Sequence, residues 1–170
     1  FSALANAQLI GSVLDDWRIA SGAAKGTPWR CEYARLRQGA QSWAYCVYAG
    51  EDGSLVCIDA LSGQARANVV HPTLGPLRIS AFPEDAALPG LGRVMASLQR
   101  VRIVRYRPGL RCTLRGFVGE DERFVKVTPK GERLHDDAVK LWQAQSNGVF
   151  SARVAEPHGW DAATCAFWQG

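Results

Sequence analysis

Residues 105–128 read R-Y-R-P-G-L-R-C-T-L-R-G-F-V-G-E-D-E-R-F-V-K-V-T. Pro108-Gly109 is a turn signal, and strands are predicted at 112–118 and 123–128 with Glu120-Asp121 between them. Pro129 ends the last of these strands. Upstream, R-V-R-I-V-R-Y-R (100–107) reads as a strand with a phase slip. Val101 and Ile103 share one face, whereas Val104 and Tyr106 share the other, which predicts a bulge or a change of buried face at Ile103-Val104. The segment is therefore a three-stranded antiparallel meander, and Lys126 lies in mid-strand between two valines. A lysine inside an apolar strand either reaches water at an edge or does electrostatic work.

A second meander precedes it. R-L-R-Q-G-A-Q-S (35–42) aligns with R-Y-R-P-G-L-R-C (105–112) at an offset of 70 residues, bringing together Arg35/Arg105, Arg37/Arg107 and Gly39/Gly109. With a one-residue gap, Glu51-Asp52 matches Glu120-Asp121. A repeat of this kind shares a supersecondary unit; chance similarity of two arginine-rich hairpins is the competing explanation. Strands are predicted at 31–37, 43–49 and 54–59, with L-V-C-I-D where the second copy carries its lysine. Residues 3–19 have the spacing of an amphipathic helix, with Leu4, Ala7, Ile10, Leu14 and Trp17 on one face. The glycines at 22 and 26 break it. Residues 61–75 read as loop, 77–81 as a strand and 91–98 as a short helix. After Gly131 a helix runs to about Gln145, closed by Asn147-Gly148. The tail suggests a strand at 150–154, a turn at Pro157-His158-Gly159 and a strand at 163–168.

The chain of 170 residues is 47% hydrophobic and 21% charged, with a net charge of +4. That is the balance of a globular protein, and no apolar run approaches the ~20 residues of a membrane span. It begins with Phe1, which predicts a processed or trimmed terminus, and residues 2–20 lack the pattern of a signal peptide. The five cysteines, at 31, 46, 57, 112 and 165, form no C-x-x-C pair. They are expected as reduced thiols in a cytoplasmic protein. The histidines at 71, 135 and 158 are too scattered to predict a metal site. Seven arginines fall between Arg93 and Arg115, with no acid from Ala86 to Gly119. Such a stripe suits phosphate, nucleic acid or an acidic partner; alternatively, half of it merely faces water. S-G-A-A-K-G-T (21–27) has the wrong spacing for a P-loop. His135-Asp136-Asp137 follows Lys126 too closely for a catalytic H-x-D, and Trp142 stands where its metal-binding Asn would fall.

Four motifs in order carry a resemblance: Y-R-P-G-L-R-C-T-L (106–114), F-V-K-V (124–127), L-H-D-D-A-V-K-L-W (134–142) and E-P-H-G-W (156–160). Together they resemble the N-lobe of the aminoglycoside-phosphotransferase-like and maltokinase-like small-molecule kinases. F-P-E-D-A-A-L-P-G-L (82–91) is similar to the segment before that lobe, and A-F-W-Q-G (166–170) to the strand entering the interlobe hinge. The resemblance covers about 76–170; residues 1–75 are only loosely similar to the family's cap domain. It implies that Lys126 is the phosphate lysine and that Arg107-Pro108-Gly109-Leu110-Arg111 is the loop over the phosphates, without a G-x-G-x-x-G. Trp168 and Gln169 would approach the adenine hinge, and Phe124, on the lysine's strand face, would crowd or stack on the base. For the acid that holds the lysine, Glu132, Asp136 and Asp137 are candidates. With Leu134, Ala138, Leu141 and Trp142 as the buried face of the helix, Asp137 is favoured because it borders that face.

The expected fold is α+β: antiparallel sheets with a few helices, a cap of similar strand units over 1–98 and a protein-kinase-like N-lobe over 99–170. The implied function is the N-terminal portion of an ATP-dependent phosphotransferase acting on a small-molecule hydroxyl acceptor. The expected cofactor-binding residues are Lys126, Asp137, Arg111, Gly109, Phe124, Trp168 and Gln169. No catalytic or metal-binding residue is expected within these 170. ATP and Mg2+ would act with a C-lobe that is expected to lie beyond Gly170, and the isolated chain is expected to be inactive. The expected partners are a nucleotide and a small-molecule acceptor; no membrane is expected, and nucleic acid is the least favoured partner. The alternative is a non-catalytic ligand- or protein-binding domain of the same fold with an arginine-rich, polyanion-binding face.

Overall fold

The computed structural model describes residues 2–21, 28–37, 43–61 and 67–170. Gly22, Gly26, Gly39 and the 21–27 loop beyond Ser21 lie outside the described residues, as does the Gly39/Gly109 match. The chain divides into two units, Phe1–Phe82 and Pro83–Gly170.

The first unit opens with a 3-10 turn, Ser2–Ala5, and helix α1, Ala7–Ala20. Asn6 begins the helix by accepting the backbone N–H groups of Gln8 and Leu9, both at 3.1 Å, which satisfies two donors that have no partner within the helix. Strands β1 (Trp29–Arg37), β2 (Trp43–Gly50), β3 (Leu55–Leu61), β4 (Val69–His71) and β5 (Gly75–Ala81) form an antiparallel sheet in the order β1-β2-β3-β5-β4. Strand β4 falls inside the stretch read as loop. Ile10, Val13 and Leu14 of α1 pack with Tyr48, Ile58 and Leu77 of the sheet. The Tyr48 hydroxyl donates to the Leu4 carbonyl at 2.6 Å, so a buried phenol is satisfied rather than orphaned.

The second unit repeats this plan. Helix α2 (Leu91–Ala96) precedes β6 (Gln99–Arg107), β7 (Arg111–Val118) and β8 (Asp121–Val127); helix α3 (Gly131–Ser146) follows, then β9 (Pro157–Asp161) and β10 (Ala166–Gln169). The sheet order is β6-β7-β8-β10-β9, again antiparallel at every pairing. The two sheets thus share strand order and direction, and β1 and β6 begin and end at the 70-residue offset. They are separate sheets, not one continuous one. The class is α+β with two five-stranded antiparallel sheets and few helices.

Three expectations are corrected. The division falls at Phe82/Pro83, not at 98/99. Leu98 lies against Gly116, Gly90 is packed on the backbone of Thr164, and Arg93 donates to the Ala163 carbonyl at 2.8 Å, so α2 belongs with the second sheet. In the tail, 150–154 is not a strand, and Pro157–Asp161 is strand rather than turn. Proline is tolerated at the first position of an edge strand, and the reversal falls at 162–165. There Asp161 accepts the Ala163 N–H and the Thr164 hydroxyl. Finally, α3 is rotated from the expected setting. Leu134 and Leu141 are exposed, whereas Gly131 is buried and His135, Ala138, Val139 and Trp142 are half-buried.

Candidate functional site

Cross-strand partners in an antiparallel sheet point to the same face. In the second sheet Thr113, Lys126, Phe167 and Trp160 form one row, with Phe124 and Gln169 one step along. The opposite face carries Cys112, Leu114, Val125, Val127 and Ala166, all fully buried. Helix α3 covers part of the lysine face. Gly131 sits against the indole of Trp160, leaving no room for a Cβ, and His135 meets Phe167 edge-on at 5.9 Å.

The bulge expected at Ile103-Val104 is present: Ile103 pairs with Leu114 and Arg105 with Thr113, so Val104 has no opposite number. Its consequence is electrostatic. Skipping one residue brings Arg102 onto the same face as Arg105 and Arg107, facing Arg115, Thr113 and Arg111. The arginines do not divide evenly between two faces; five of them line the face of Lys126. Arg115 pairs with Glu122. Among the described residues, Arg102, Arg105, Arg107, Arg111 and Lys126 have no carboxylate within salt-bridge distance. The buried Nε atoms of Arg107 and Arg111 have no hydrogen-bond acceptor.

Lys126 is half-buried on the middle strand of five, hydrogen-bonded on both sides by β7 and β10, so it is not an edge residue. Its ammonium donates to Gln169 Oε1 at 3.2 Å and lies 5.5 Å from the centre of the Phe167 ring. Burial lowers its pKa, and the neighbouring Arg111 charge lowers it further. Lys126 is thus held beside a like charge, with a neutral amide as its hydrogen-bond acceptor and the Phe167 ring beside it.

The remaining predicted residues fall as follows. Arg111, Phe124 and Gln169 join Lys126 on one face. Gly109 is at the tip of the β6–β7 turn with φ +68°, but its N–H is donated to Asp85 Oδ2 at 2.8 Å and is not available to a phosphate. Asp137 is exposed and approaches Arg133 at 3.8 Å; with α3 rotated, His135 holds the place on the sheet side that Asp137 was expected to border. Trp168 points to the opposite face from Lys126, in register with Val125. Sequence reading missed Asp85, which also accepts the Tyr106 hydroxyl at 3.0 Å. It missed the coincidence of the arginines as well, although the phase slip at Val104 was the signal for it.

Among the described residues no group of three or more His, Cys, Asp or Glu side chains gathers as a metal site, and no helix is long and apolar enough to cross a membrane. Comparison of the chain with protein-family models, with curated proteins and with solved structures gives no match in any of the three.

Proposed function

We propose that the second unit binds the phosphates of an adenine nucleotide and is the N-lobe of an ATP-dependent small-molecule phosphotransferase, with the first unit as its cap. The observation that carries this reading is Lys126: a half-buried cation on the third strand of the sheet, beside Arg111, with no acidic partner among the described residues and with a helix following on the same face. In kinases the phosphate lysine stands on the third strand, next to the helix that orients it. Lys126 and Arg111 would offset phosphate charge, with Arg107 flanking them. Phe124 and Gln169 would border the base. Because Gly109 is tied to Asp85, side chains rather than backbone amides would make the phosphate contacts. The described residues offer no carboxylate set for Mg2+, so the ion would arrive with the nucleotide. The general base and metal ligands that phosphoryl transfer requires would come from a catalytic lobe outside these 170 residues, and the acceptor, a small-molecule alcohol, would bind there.

The test is nucleotide titration of the 170-residue chain by calorimetry. Lys126→Met and Arg111→Met should each weaken ATP binding about tenfold or more, whereas Lys130→Met, in the turn after Thr128, should leave it unchanged. In the enzyme carrying its catalytic lobe, Lys126→Ala should lower turnover by roughly 10²–10³, the scale of one preorganised charge-stabilising group. The 170-residue chain alone should transfer no phosphate to an alcohol. Equal affinity of Lys126→Met and wild type for ATP would remove the basis of the proposal.

A second reading is favoured by one observation: Arg102, Arg105 and Arg107 follow one another along the lysine face of β6, with Arg105 in the row of Thr113 and Lys126 and Arg102 a step further along, opposite Arg115. A polyanion or acidic partner would use the whole row, so its binding would fall with Arg102→Gln, which ATP binding would tolerate.

A further inference from the structure

The face opposite Lys126 holds a cavity of about 510 Å3, within the usual size range of small-molecule sites. It lies wholly within the second unit, under α2, and its chemistry differs from that of the lysine face. Val94, Val118 and the Trp168 indole give it an apolar, aromatic lining. Arg93, Arg123 and His158 supply its donors.

These donors are fixed in place and incompletely used. Arg93 donates from Nη2 to the Ala163 carbonyl at 2.8 Å. Arg123 donates to the Glu122 carbonyl and to Asp121 Oδ2, both at 2.9 Å. A guanidinium has five N–H groups, so each keeps donors for a ligand. His158 Nε2 and Arg123 Nη1 both lie within 3.1 Å of the position a Cβ on Gly170 would occupy, which places imidazole and guanidinium side by side over a residue without a side chain. The one carboxylate in the lining, Asp161, is already engaged by the Thr164 hydroxyl and the Ala163 N–H.

We infer that this cavity is a binding site for a small aromatic monocarboxylate, distinct from the nucleotide site. The ring would lie against Trp168 and Val94, and the carboxylate would be held by Arg123 and His158, with Arg93 at the other wall. A planar guanidinium fork matches a carboxylate bidentately. The Asp161 charge in the same lining disfavours a phosphate dianion, and a mostly apolar wall disfavours a fully hydrated inorganic anion. The site does not depend on the kinase reading, because none of its residues shares the face of Lys126.

Phenylacetate is a suitable probe, titrated into the 170-residue chain with the Trp168 indole and His158 imidazole resonances followed by NMR. Saturable shifts of both are expected, with a Kd of about 1 mM or tighter for a probe of this size. Arg123→Gln should weaken binding at least tenfold and Trp168→Leu should do the same, while Lys126→Met should leave it intact. Amide spectra of each variant show that it is folded; if Arg123→Gln is not, Trp168→Leu and the ligand series decide alone. Phenethylamine, of the same shape and opposite charge, should not bind. The inference is overturned if phenylacetate gives no saturable shift, if the amine binds as well as the acid, or if Lys126→Met abolishes the effect. ATP binding would be unaffected by any of these failures.

Discussion

The Asp85 carboxylate accepts the Gly109 N–H at 2.8 Å and the Tyr106 hydroxyl at 3.0 Å, fastening the β6–β7 turn to a residue more than twenty positions earlier. The turn bears Arg107 and Arg111 on its two shoulders. Asp85 thereby sets where two guanidinium groups stand that have no carboxylate partner among the described residues.

Asp85→Ala should cost the second unit about 1.5–3 kcal/mol, the scale of hydrogen bonds to a charged acceptor. Urea unfolding would measure this. ATP affinity should fall with it, because the arginines lose their fixed spacing; Asp85→Asn, which keeps an acceptor, should recover part of both.

Lys126→Met should stabilise the protein while impairing anion binding. The lysine pKa is lowered in the folded state, by burial and by Arg111. The sign of its contribution follows: the folded state is penalised below the folded pKa, where the group is charged in both states. The penalty is relieved as pH rises from the folded pKa toward the ordinary lysine value, because there the unfolded chain holds more protons. Removing the charge at neutral pH should therefore raise stability. A loss of stability in thermal melts at pH 7 would mean that the aliphatic stem matters more than the charge.

Gly131→Ala should be among the most disruptive small substitutions. Any Cβ there falls within the Trp160 ring, and the helix must lift from the sheet. Overpacking of this kind costs about 1–3 kcal/mol or more. The same shift would move His135 off Phe167, detectable as a changed His135 ring resonance.

The Asp52 carboxyl is held down to about 2 from 3.8, by the Ser54 hydroxyl and N–H first and by Arg18 as well. Its contribution is complete above the unfolded value and disappears as pH falls toward 2. Acid titration of stability should show a smaller drop between pH 4 and pH 2 in Asp52→Asn than in wild type.

Thiol labelling should separate the cysteines. Burial pushes the Cys46 and Cys112 thiols up to about 12, so at pH 8 they are neutral as well as inaccessible. Cys165, in the β9–β10 turn, should react with maleimide first. Mass spectrometry at intermediate times would show Cys46 and Cys112 unmodified until denaturant is added.

Much of this architecture was legible because strands leave a period-two trace. Val125, Lys126 and Val127 declared their faces by alternation, and Ile103-Val104 declared its bulge by breaking it. What was not legible depended on contacts distant in sequence. The rotation of α3 is set by Trp160 closing on Gly131, which no local periodicity reports, so two leucines that looked buried are exposed. Helix α2 reads as part of the cap, and the packing of Leu98 against Gly116 joins it to the second sheet. At the site, charge type was readable and charge partnership was not. Asp137 looked like the partner of Lys126 and instead approaches Arg133, and Gly109, which looked like a phosphate donor, is held by Asp85.

The shared strand order has a kinetic consequence. Among the described residues no strand of one sheet pairs with a strand of the other, and in each sheet all but one pairing joins strands consecutive in the chain. Most pairings within each half are therefore local for a β structure, and the longest closure is that of β8 on β10, where Val127 pairs with Ala166 across α3 and β9. At ribosomal rates, synthesis of the second half takes roughly 4–18 s, whereas hairpins form in about 1–10 μs. The first sheet can thus be finished while the second is still being made, so that slow or failed folding of the arginine-bearing half need not draw the other into misfolding.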